Sequence, residues 1–355
     1  MKQVLCYSLI FAFNWSALVA HLAFHDSPFV IGETMREQSL FDSWEEEELL
    51  SLQLEANFSE LIAEKNQGDY RSARLVLHPK EDREVSTLVK IKARGKYRRR
   101  ICDFPPLKLK NSGKELSGIE LKNYKTFKLV THCDNKTPTR STILREYLAY
   151  RLYAVLSEAS YRVQLVEITY VDEGKVLPKL KRYGFLLEDT DELEDRLGAR
   201  DCDCGFNATD PSSQDAAATL ALFQFMICNN DWDFSAPRNL KVLQTEAGDG
   251  QVVIPYDFDF SAFVGAPYAF PNVDYALTDL RDRVLLIDSL DPTALARAAA
   301  HFRAKRPQVL ALIKGQAGLN RTTRKELAHY VESFYTLLDR DLEWTHKLVV
   351  PFGAN

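Results

Sequence analysis

The feature that most constrains the fold is a change in hydrophobic periodicity about halfway along the 355 residues. Before residue 190, apolar and polar residues alternate as in half-buried β-strands. The alternating segments are 73–78, 85–95, 106–110, 126–133, 161–173 and 181–189. One helical segment interrupts them, where Ser141 or Thr142 can cap an apolar stripe that runs to Leu152. The first part therefore reads as β-rich with one embedded helix.

The second part has a different pattern. Residues 215–230 predict a strongly apolar helix, followed by two short strands at 240–244 and 252–260 that are joined by a polar turn. The segments 276–290, 292–315 and 323–349 also read as helices, and so does the early segment 38–66. We therefore predict an α+β fold with two lobes. A helical extension (21–70) precedes a β-rich N-lobe (71–189) and a mainly helical C-lobe (190–355) that carries the hairpin.

The first residues predict export. "MKQVLCYSLIFAFNWSALVA" has a Lys, an apolar stretch and small residues before Ala20, which is typical of a secretory signal peptide over residues 1–20. An uncleaved membrane anchor is the alternative. No later segment predicts a membrane span, so we expect a secreted, periplasmic or otherwise extracytoplasmic protein. The net charge of -5 argues against a nucleic-acid partner.

Removal of the signal leaves five cysteines, an odd number that predicts up to two disulfides and one buried thiol. Cys102 and Cys133 lie in neighbouring predicted strands and can pair. "DCDCG" (201–205) resembles half of a zinc site, but no second Cys/His cluster accompanies it.

Two acidic motifs suggest the chemistry. "NNDWDFSAPRNLKVL" (229–243) places Asn239 just before the first hairpin strand, and Asp257 and Asp259 lie near the end of the second. Asn239 and Asp257 should therefore face one cleft, where their oxygens suit a hard divalent cation. Asp231 can accept a proton from a hydroxyl acceptor, so the motifs favour metal-assisted phosphoryl transfer.

The chain resembles the CotH family of atypical, spore-coat and secreted kinases of the protein-kinase-like fold, from about residue 73 to 270. The stretches that carry the resemblance are "KARGKYRRRICDFPPLKLK", "TFKLVTHCDNKTPTRSTILREYLAYRLYAVL", "YGFLLED", "NNDWDFSAPRNLKVL" and "IPYDFDFSAFV". The resemblance implies an ATP-dependent kinase that uses Mg²⁺ or Mn²⁺. Its acceptor would be a hydroxyl on a protein, a glycan or a small molecule.

The resemblance also implies residue roles. It makes Asp231 the catalytic base. Asn239 and Asp257 become metal ligands, with Asp259 as a further ligand and Asp233 as an alternative carboxylate. Either Lys108 or Lys110 would bind phosphate, with Lys128 as a third choice, and Glu146 would orient that lysine. Glu188, at the end of "YGFLLED", is a candidate cofactor-binding residue.

The chain departs from kinase patterns in ways that leave alternatives open. It has no G-x-G-x-x-G loop and no H-R-D signature, and "FSAFV" stands where a Phe-Gly step is expected. A binding protein without turnover and a metal-dependent phosphoesterase therefore remain alternative functions.

Overall fold

The computed structural model describes residues 39–43, 48–78, 85–111, 126–134, 138–234, 236–248, 250–286, 290–340 and 348–350. These residues belong to one compact unit. The predicted signal peptide lies outside the described residues. The segment boundaries at residues 70 and 189 stay predictions.

The strands begin and end at the following residues. They are β1 (Leu50–Ala56), β2 (Arg71–His78), β3 (Val85–Ala93), β4 (Leu107–Asn111), β5 (Thr126–Val130), β6 (Val163–Asp172), β7 (Leu180–Leu187), β8 (Ala199–Asp201), β9 (Leu240–Thr245), β10 (Gln251–Pro255), β11 (Arg283–Leu285) and β12 (Leu348–Val350). The alternating segments of the first part and the later hairpin are thus confirmed as strands.

The helices of the described residues are α1 (Leu40–Ser43), α2 (Phe58–Ala63), α3 (Arg98–Ile101), α4 (Pro138–Leu156), α5 (Thr190–Leu197), α6 (Gln214–Ile227), α7 (Pro292–Gly315) and α8 (Arg321–Leu338). Their starts follow local chemistry. The side chain of Asp291 accepts a hydrogen bond from the Thr293 N–H, and Asn320 does the same for Thr323, so each caps the helix that follows. No helix of the described residues has both the length and the apolar character needed to cross a membrane.

The first seven strands close into a barrel in the order β1-β2-β3-β4-β5-β7-β6. Neighbours are antiparallel except β1 and β6, whose parallel pairing closes the ring. Alternation sends one set of side chains inward, including Leu54, Ile91 and Leu107, which form the barrel core. The barrel therefore has its own apolar interior.

A second core joins the outside of the barrel to the helices. Phe185 and Leu187 on β7 and Leu165 on β6 face outward and pack in one cluster with α4 and α6. Helix α6 is apolar on nearly every side because it lies inside this cluster. The site residues described below lie between the barrel and the helices that cover it.

The predicted fold class, a two-lobed protein-kinase-like α+β fold, is wrong. The strands form a closed seven-stranded barrel, and the helices cover its outer face through a shared core instead of forming a separate helical lobe. The second part also holds two more sheets, β10-β9-β8 and β11-β12.

Two predicted helices also differ from the structure. The helix predicted over 38–66 is wrong at β1, where Leu50, Leu52 and Leu54 alternate with half-exposed residues and supply the strand that closes the barrel. The helix predicted over 276–290 is wrong at β11, which pairs with β12. In both places a short strand lies inside a segment whose apolar spacing also fits a helix.

The cysteine prediction agrees with the structure. Cys102 and Cys133 form a disulfide, Cys202 and Cys204 form a second one, and Cys228 is a buried free thiol. The second disulfide removes "DCDCG" from consideration as a zinc ligand pair.

Candidate functional site

The hairpin β9–β10 brings Asn239 and Asp257 to the same end of one small sheet. Leu240 pairs with Pro255, and the Tyr256 N–H donates to the carbonyl oxygen of Asn239 at 3.0 Å. Asn239 has a φ of 55° and Asp257 a φ of 63°. Such left-handed backbone is uncommon outside glycine and is found disproportionately at functional sites. The hairpin end is therefore the candidate centre of the functional site.

Asn239 is locked against Asp231. Its Nδ2 donates to the Asp231 carbonyl oxygen at 2.7 Å and to Asp231 Oδ2 at 2.9 Å. With the amide nitrogen used in this way, the amide oxygen is the atom left to bind a ligand. The Asp231 side chain remains 35% exposed, with Oδ1 3.4 Å from Arg238 Nε. Asn239 thus positions the carboxylate that the sequence predicted as a base.

The buried side chain of Asn229 holds the loop that carries Asp231. Asn229 is fully buried and its Oδ1 accepts a hydrogen bond from the Asp231 N–H at 3.2 Å. Its Nδ2 donates to Gln224 Oε1 on α6. The loop that carries Asp231 is therefore tied to the most buried helix of the fold.

One guanidinium contacts three carboxylates beside the hairpin. Arg98 donates from Nε to Asp259 Oδ2 at 2.7 Å and from Nη2 to Glu146 Oε2 at 2.7 Å. Its Nη2 also lies 3.6 Å from Asp257 Oδ1. Arg98, Glu146 and Asp259 are buried, whereas the Asp257 side chain is 46% exposed. The cluster of Arg98, Glu146, Asp257 and Asp259, named here the Arg98 cluster, carries more negative than positive charge.

This imbalance shifts proton affinities. Desolvation by the surrounding side chains and the nearby Asp259 charge raise the pKa of Asp257 to about 6, although part of its side chain reaches solvent. Burial also raises the pKa of Glu146, against the opposing effect of Arg98. A carboxylate whose charged form is disfavoured in this way gains from a bound cation. Asp257, the exposed member of the Arg98 cluster, is the group that such a cation can reach.

The structure does not pair Glu146 with a lysine, as the sequence suggested, because Arg98 occupies it. Lys108 and Lys110 project from the outer face of β4, and Lys110 is exposed. Lys108 is in register with Lys128 on β5. Lys128 Nζ in turn lies beside the hairpin, near the ring of Tyr256.

Lys128 and Arg94 are cations with no ion-pair partner among the residues that the structure describes. Lys128 Nζ lies 5.3 Å from the ring centre of Tyr161 and 5.9 Å from that of Tyr256, the residue before Asp257. Burial, followed by the charge of Arg94, lowers the pKa of Lys128 to about 8. The charge of Arg94 also acts on Asp257. Two uncommitted cations thus lie in the electrostatic neighbourhood of the hairpin end.

Other predicted residues are engaged elsewhere. Both carboxylate oxygens of Glu188, which is fully buried, accept hydrogen bonds from Arg162 and Arg196. Asp259 Oδ2 accepts from Tyr268 Oη at 2.8 Å as well as from Arg98. The backbone of Asp233 forms an isolated β-bridge with that of Arg238. The carboxylates of Glu188 and Asp259 are occupied by these hydrogen bonds, and the predicted ligand roles of all three residues gain no geometric support.

The described residues contain no group of three His, Cys, Asp or Glu side chains arranged for a metal. The donor set at the hairpin end is instead one carboxylate, from Asp257, and one amide oxygen, from Asn239. Mg²⁺ commonly binds to one or two carboxylates together with substrate phosphates and water. The residues present fit a cation that arrives with a phosphorylated ligand.

Sequence reasoning missed Arg98 and Arg94. Both lie in "KARGKYRRR", part of a stretch that carries the family resemblance but to which no site residue was assigned. Arg98 meets Asp259 across 161 positions of the chain. A contact so distant in sequence leaves no local pattern that would distinguish Arg98 from its neighbours.

No family model and no curated protein matches the chain, so membership of the CotH family stays a prediction. Among solved structures, the crystal structure of the Helicobacter pylori proinflammatory kinase CtkA is similar at a TM-score of 0.35 and 9% sequence identity. The match covers 64% of this chain and 90% of that one. A likeness at this level is weak and establishes neither a shared fold nor a shared activity.

Proposed function

We propose that the protein is a phosphotransferase that moves the γ-phosphoryl group of ATP to a hydroxyl acceptor with Mg²⁺ or Mn²⁺. The observation that carries this proposal is the meeting of Asn239 and Asp257 at one hairpin end, both in left-handed backbone. Asp231, hydrogen-bonded to Asn239, lies beside them.

In this proposal Asp257 and the amide oxygen of Asn239 hold the cation, which neutralises the phosphates when it is bound. Asp257 is suited to this because the Arg98 cluster already has excess negative charge. Asp259 and Glu146 act differently: they hold Arg98, and Arg98 in turn orients the Asp257 side of the site.

Lys128 and Arg94 are the proposed phosphate-binding cations. Phosphoryl transfer depends mostly on alignment and on neutralising charge at the phosphate oxygens. A cation already committed to a buried carboxylate serves this purpose poorly, whereas Lys128 and Arg94 have no ion pair among the described side chains. Lys108, which is in register with Lys128 on the neighbouring strand, adds positive charge beside these two cations.

Asp231 is the proposed proton acceptor. As the acceptor oxygen bonds to the γ-phosphorus, the bond from that phosphorus to the bridging oxygen breaks and ADP leaves. The hydroxyl proton passes to Asp231 late in the transfer. The bonds from Asn239 and Asn229 fix the loop of Asp231, and its 35% exposure leaves room for an acceptor.

Export is part of the same proposal. The two disulfides of the described residues support it, because disulfides persist mainly in oxidising compartments. The proposed localisation is therefore outside the cytoplasm.

The proposal is tested with purified protein, ATP, either Mg²⁺ or Mn²⁺, and a serine-containing polypeptide as the hydroxyl acceptor. We expect a metal-dependent rise in melting temperature and metal-dependent formation of ADP. Asp257→Asn should reduce ADP formation on the order of 100-fold or more. Asparagine tolerates left-handed backbone, so the variant should keep the fold. Asp215→Asn, at an exposed aspartate on α6, is the matched control and should behave as wild type.

The alternatives give different results in the same assay. A melting shift without ADP indicates a binding protein, and metal-dependent cleavage of a simple phosphate ester without nucleotide indicates a phosphoesterase. Absence of both a shift and turnover in the wild-type protein contradicts the proposal.

A further inference from the structure

A small pocket opens beside the Arg98 cluster. Its volume is about 220 Å³, and its apolar walls come from Ile101, Ile143, Pro267 and the ring of Tyr268. Pockets that enclose a whole small-molecule ligand usually measure roughly 300 to 1,000 Å³. This pocket is below that range, and its size suits one large side chain of a polypeptide.

Aromatic side chains extend the pocket into a wider surface. Tyr97 and Phe260 have ring centres 5.3 Å apart, Phe260 and Phe270 are 5.7 Å apart, and Tyr268 contacts both Tyr97 and Phe260. Phe270 is 59% exposed and nearby Val273 is 79% exposed. Exposed aromatic groups next to a pocket are typical of the anchor regions of protein interfaces.

This surface spans the candidate site. At one end, Tyr268 Oη donates to Asp259 in the Arg98 cluster. At the other end, Asn272 Nδ2 donates to the carbonyl oxygen of Asn230, which precedes Asp231. Phe270 lies between these two anchor points in sequence. A polypeptide on this surface therefore lies close to the proposed proton acceptor.

Asp134 and Glu146 line the pocket, whereas the exposed charge on its α3 side is positive. Lys96 and Arg100, on and around α3, are exposed and form no ion pair with any described residue. Arg98 is buried against its carboxylates and does not add to this exposed charge, and Asp103 is the one acid within residues 96–103. The exposed part of the segment thus has a net positive charge and complements an acidic partner.

We propose that this surface binds an acidic segment of an acceptor polypeptide. One large apolar side chain fills the pocket at Ile101 and Tyr268, acidic residues face Lys96 and Arg100, and a serine or threonine hydroxyl lies at Asp231. The acceptor role rests on the proposed phosphotransferase function, whereas the binding of an acidic peptide does not.

The test uses three fluorescent serine peptides with purified full-length protein: one with acidic flanks and a leucine, one with the flanks changed to lysine, and one with the leucine changed to serine. Binding is followed by anisotropy and transfer by labelled ATP. We expect the acidic leucine peptide to bind about tenfold more tightly than either of the other two. Transfer should follow the same order.

Variants of the protein sharpen this result. Lys96→Glu with Arg100→Glu should reverse the preference, so that the lysine-flanked peptide binds better than the acidic one. Ile101→Ser, at a half-exposed residue in the wall of the pocket, should weaken both peptides that carry leucine. Lys314→Glu on α7 and Val176→Ser after β6 change exposed residues away from the surface, and they should leave the peptide affinities unchanged.

The outcomes separate this inference from the proposed function. If wild-type protein binds the acidic peptide but forms no ADP, the surface stands and the phosphotransferase proposal fails. Equal affinity for acidic and lysine-flanked peptides, or no reversal in the double variant, overturns the inference even when ADP is formed.

Discussion

At the scale of single residues, Lys128 gives the site a specific dependence on pH. Its pKa is lowered to about 8, first by burial and then by the charge of Arg94. The amine is therefore charged at pH 7 and mostly neutral at pH 9. A phosphate ligand binds to the charged form, so rising pH should weaken ATP binding as it passes through about 8.

We expect the affinity for a fluorescent ATP analogue, with Mg²⁺, to fall about tenfold between pH 7 and pH 9. Lys128→Arg keeps its charge over this range, so its affinity should stay nearly constant. Lys110→Arg changes an exposed lysine of β4 and should keep the wild-type pH dependence. A wild-type affinity that does not change across this range argues against Lys128 as the phosphate-binding cation.

The same shift affects stability in the opposite direction. A lysine whose pKa is lower in the folded state than in the unfolded state disfavours folding while it is charged. This penalty is full below about pH 8 and disappears as the pH rises toward the ordinary value of 10.5. The charged form of Lys128 thus lowers the stability of the fold but favours phosphate binding. Such a perturbed pKa is typical of a functional group.

At the scale of elements, the short helix α3 is held in place by the disulfide that follows it. Cys102, directly after Arg98–Ile101, is bonded to Cys133, just beyond β5. The disulfide closes a loop with a sequence separation of 31. It therefore ties the helix that carries Arg98 to the barrel wall.

We expect Cys102→Ser with Cys133→Ser to lower the free energy of unfolding by about 3 to 4 kcal/mol, from the loop-closure entropy alone. Urea unfolding measured by circular dichroism checks this value. Cys202→Ser with Cys204→Ser, whose sequence separation is 2, is the control and should cost roughly a third as much. Equal losses in the two double variants would contradict the bracing role of the first disulfide.

The elements also show what the sequence could and could not predict. Alternation identified β2 to β7, and the paired apolar runs identified the β9–β10 hairpin with Asn239 and Asp257 at its end. These signals are local, so one sequence contains them. β1 was missed because its leucines also fit a helical spacing within the longer segment 38–66.

The partners of the site residues were harder to predict than the residues themselves. Glu146 was predicted to orient a phosphate-binding lysine, but its partner in the structure is Arg98. Which cation reaches it depends on how the turn after β3 packs against α4, and that packing is set by the whole fold. The closed barrel escaped prediction for the same reason, since closure depends on the parallel pairing of β1 with β6.

At the scale of the whole molecule, β1 is the strand that completes the barrel. It pairs with β2 on one side and β6 on the other, and its side chains Leu50, Leu52 and Leu54 are buried in the barrel. Full burial of three leucines contributes roughly 5 to 9 kcal/mol. That is comparable with the total stability of a typical domain, about 5 to 15 kcal/mol.

We therefore expect a chain that begins at residue 57 to lose cooperative unfolding and to aggregate, because β2 and β6 become open edges beside an exposed apolar interior. A chain that begins at residue 37 keeps β1 and the compact unit, and it should unfold in one cooperative transition. Thermal unfolding by circular dichroism and size-exclusion chromatography distinguish the two. If the chain from residue 57 stayed monomeric and melted at the same temperature as the chain from residue 37, β1 would be dispensable and the closed barrel would not be the unit that positions the site.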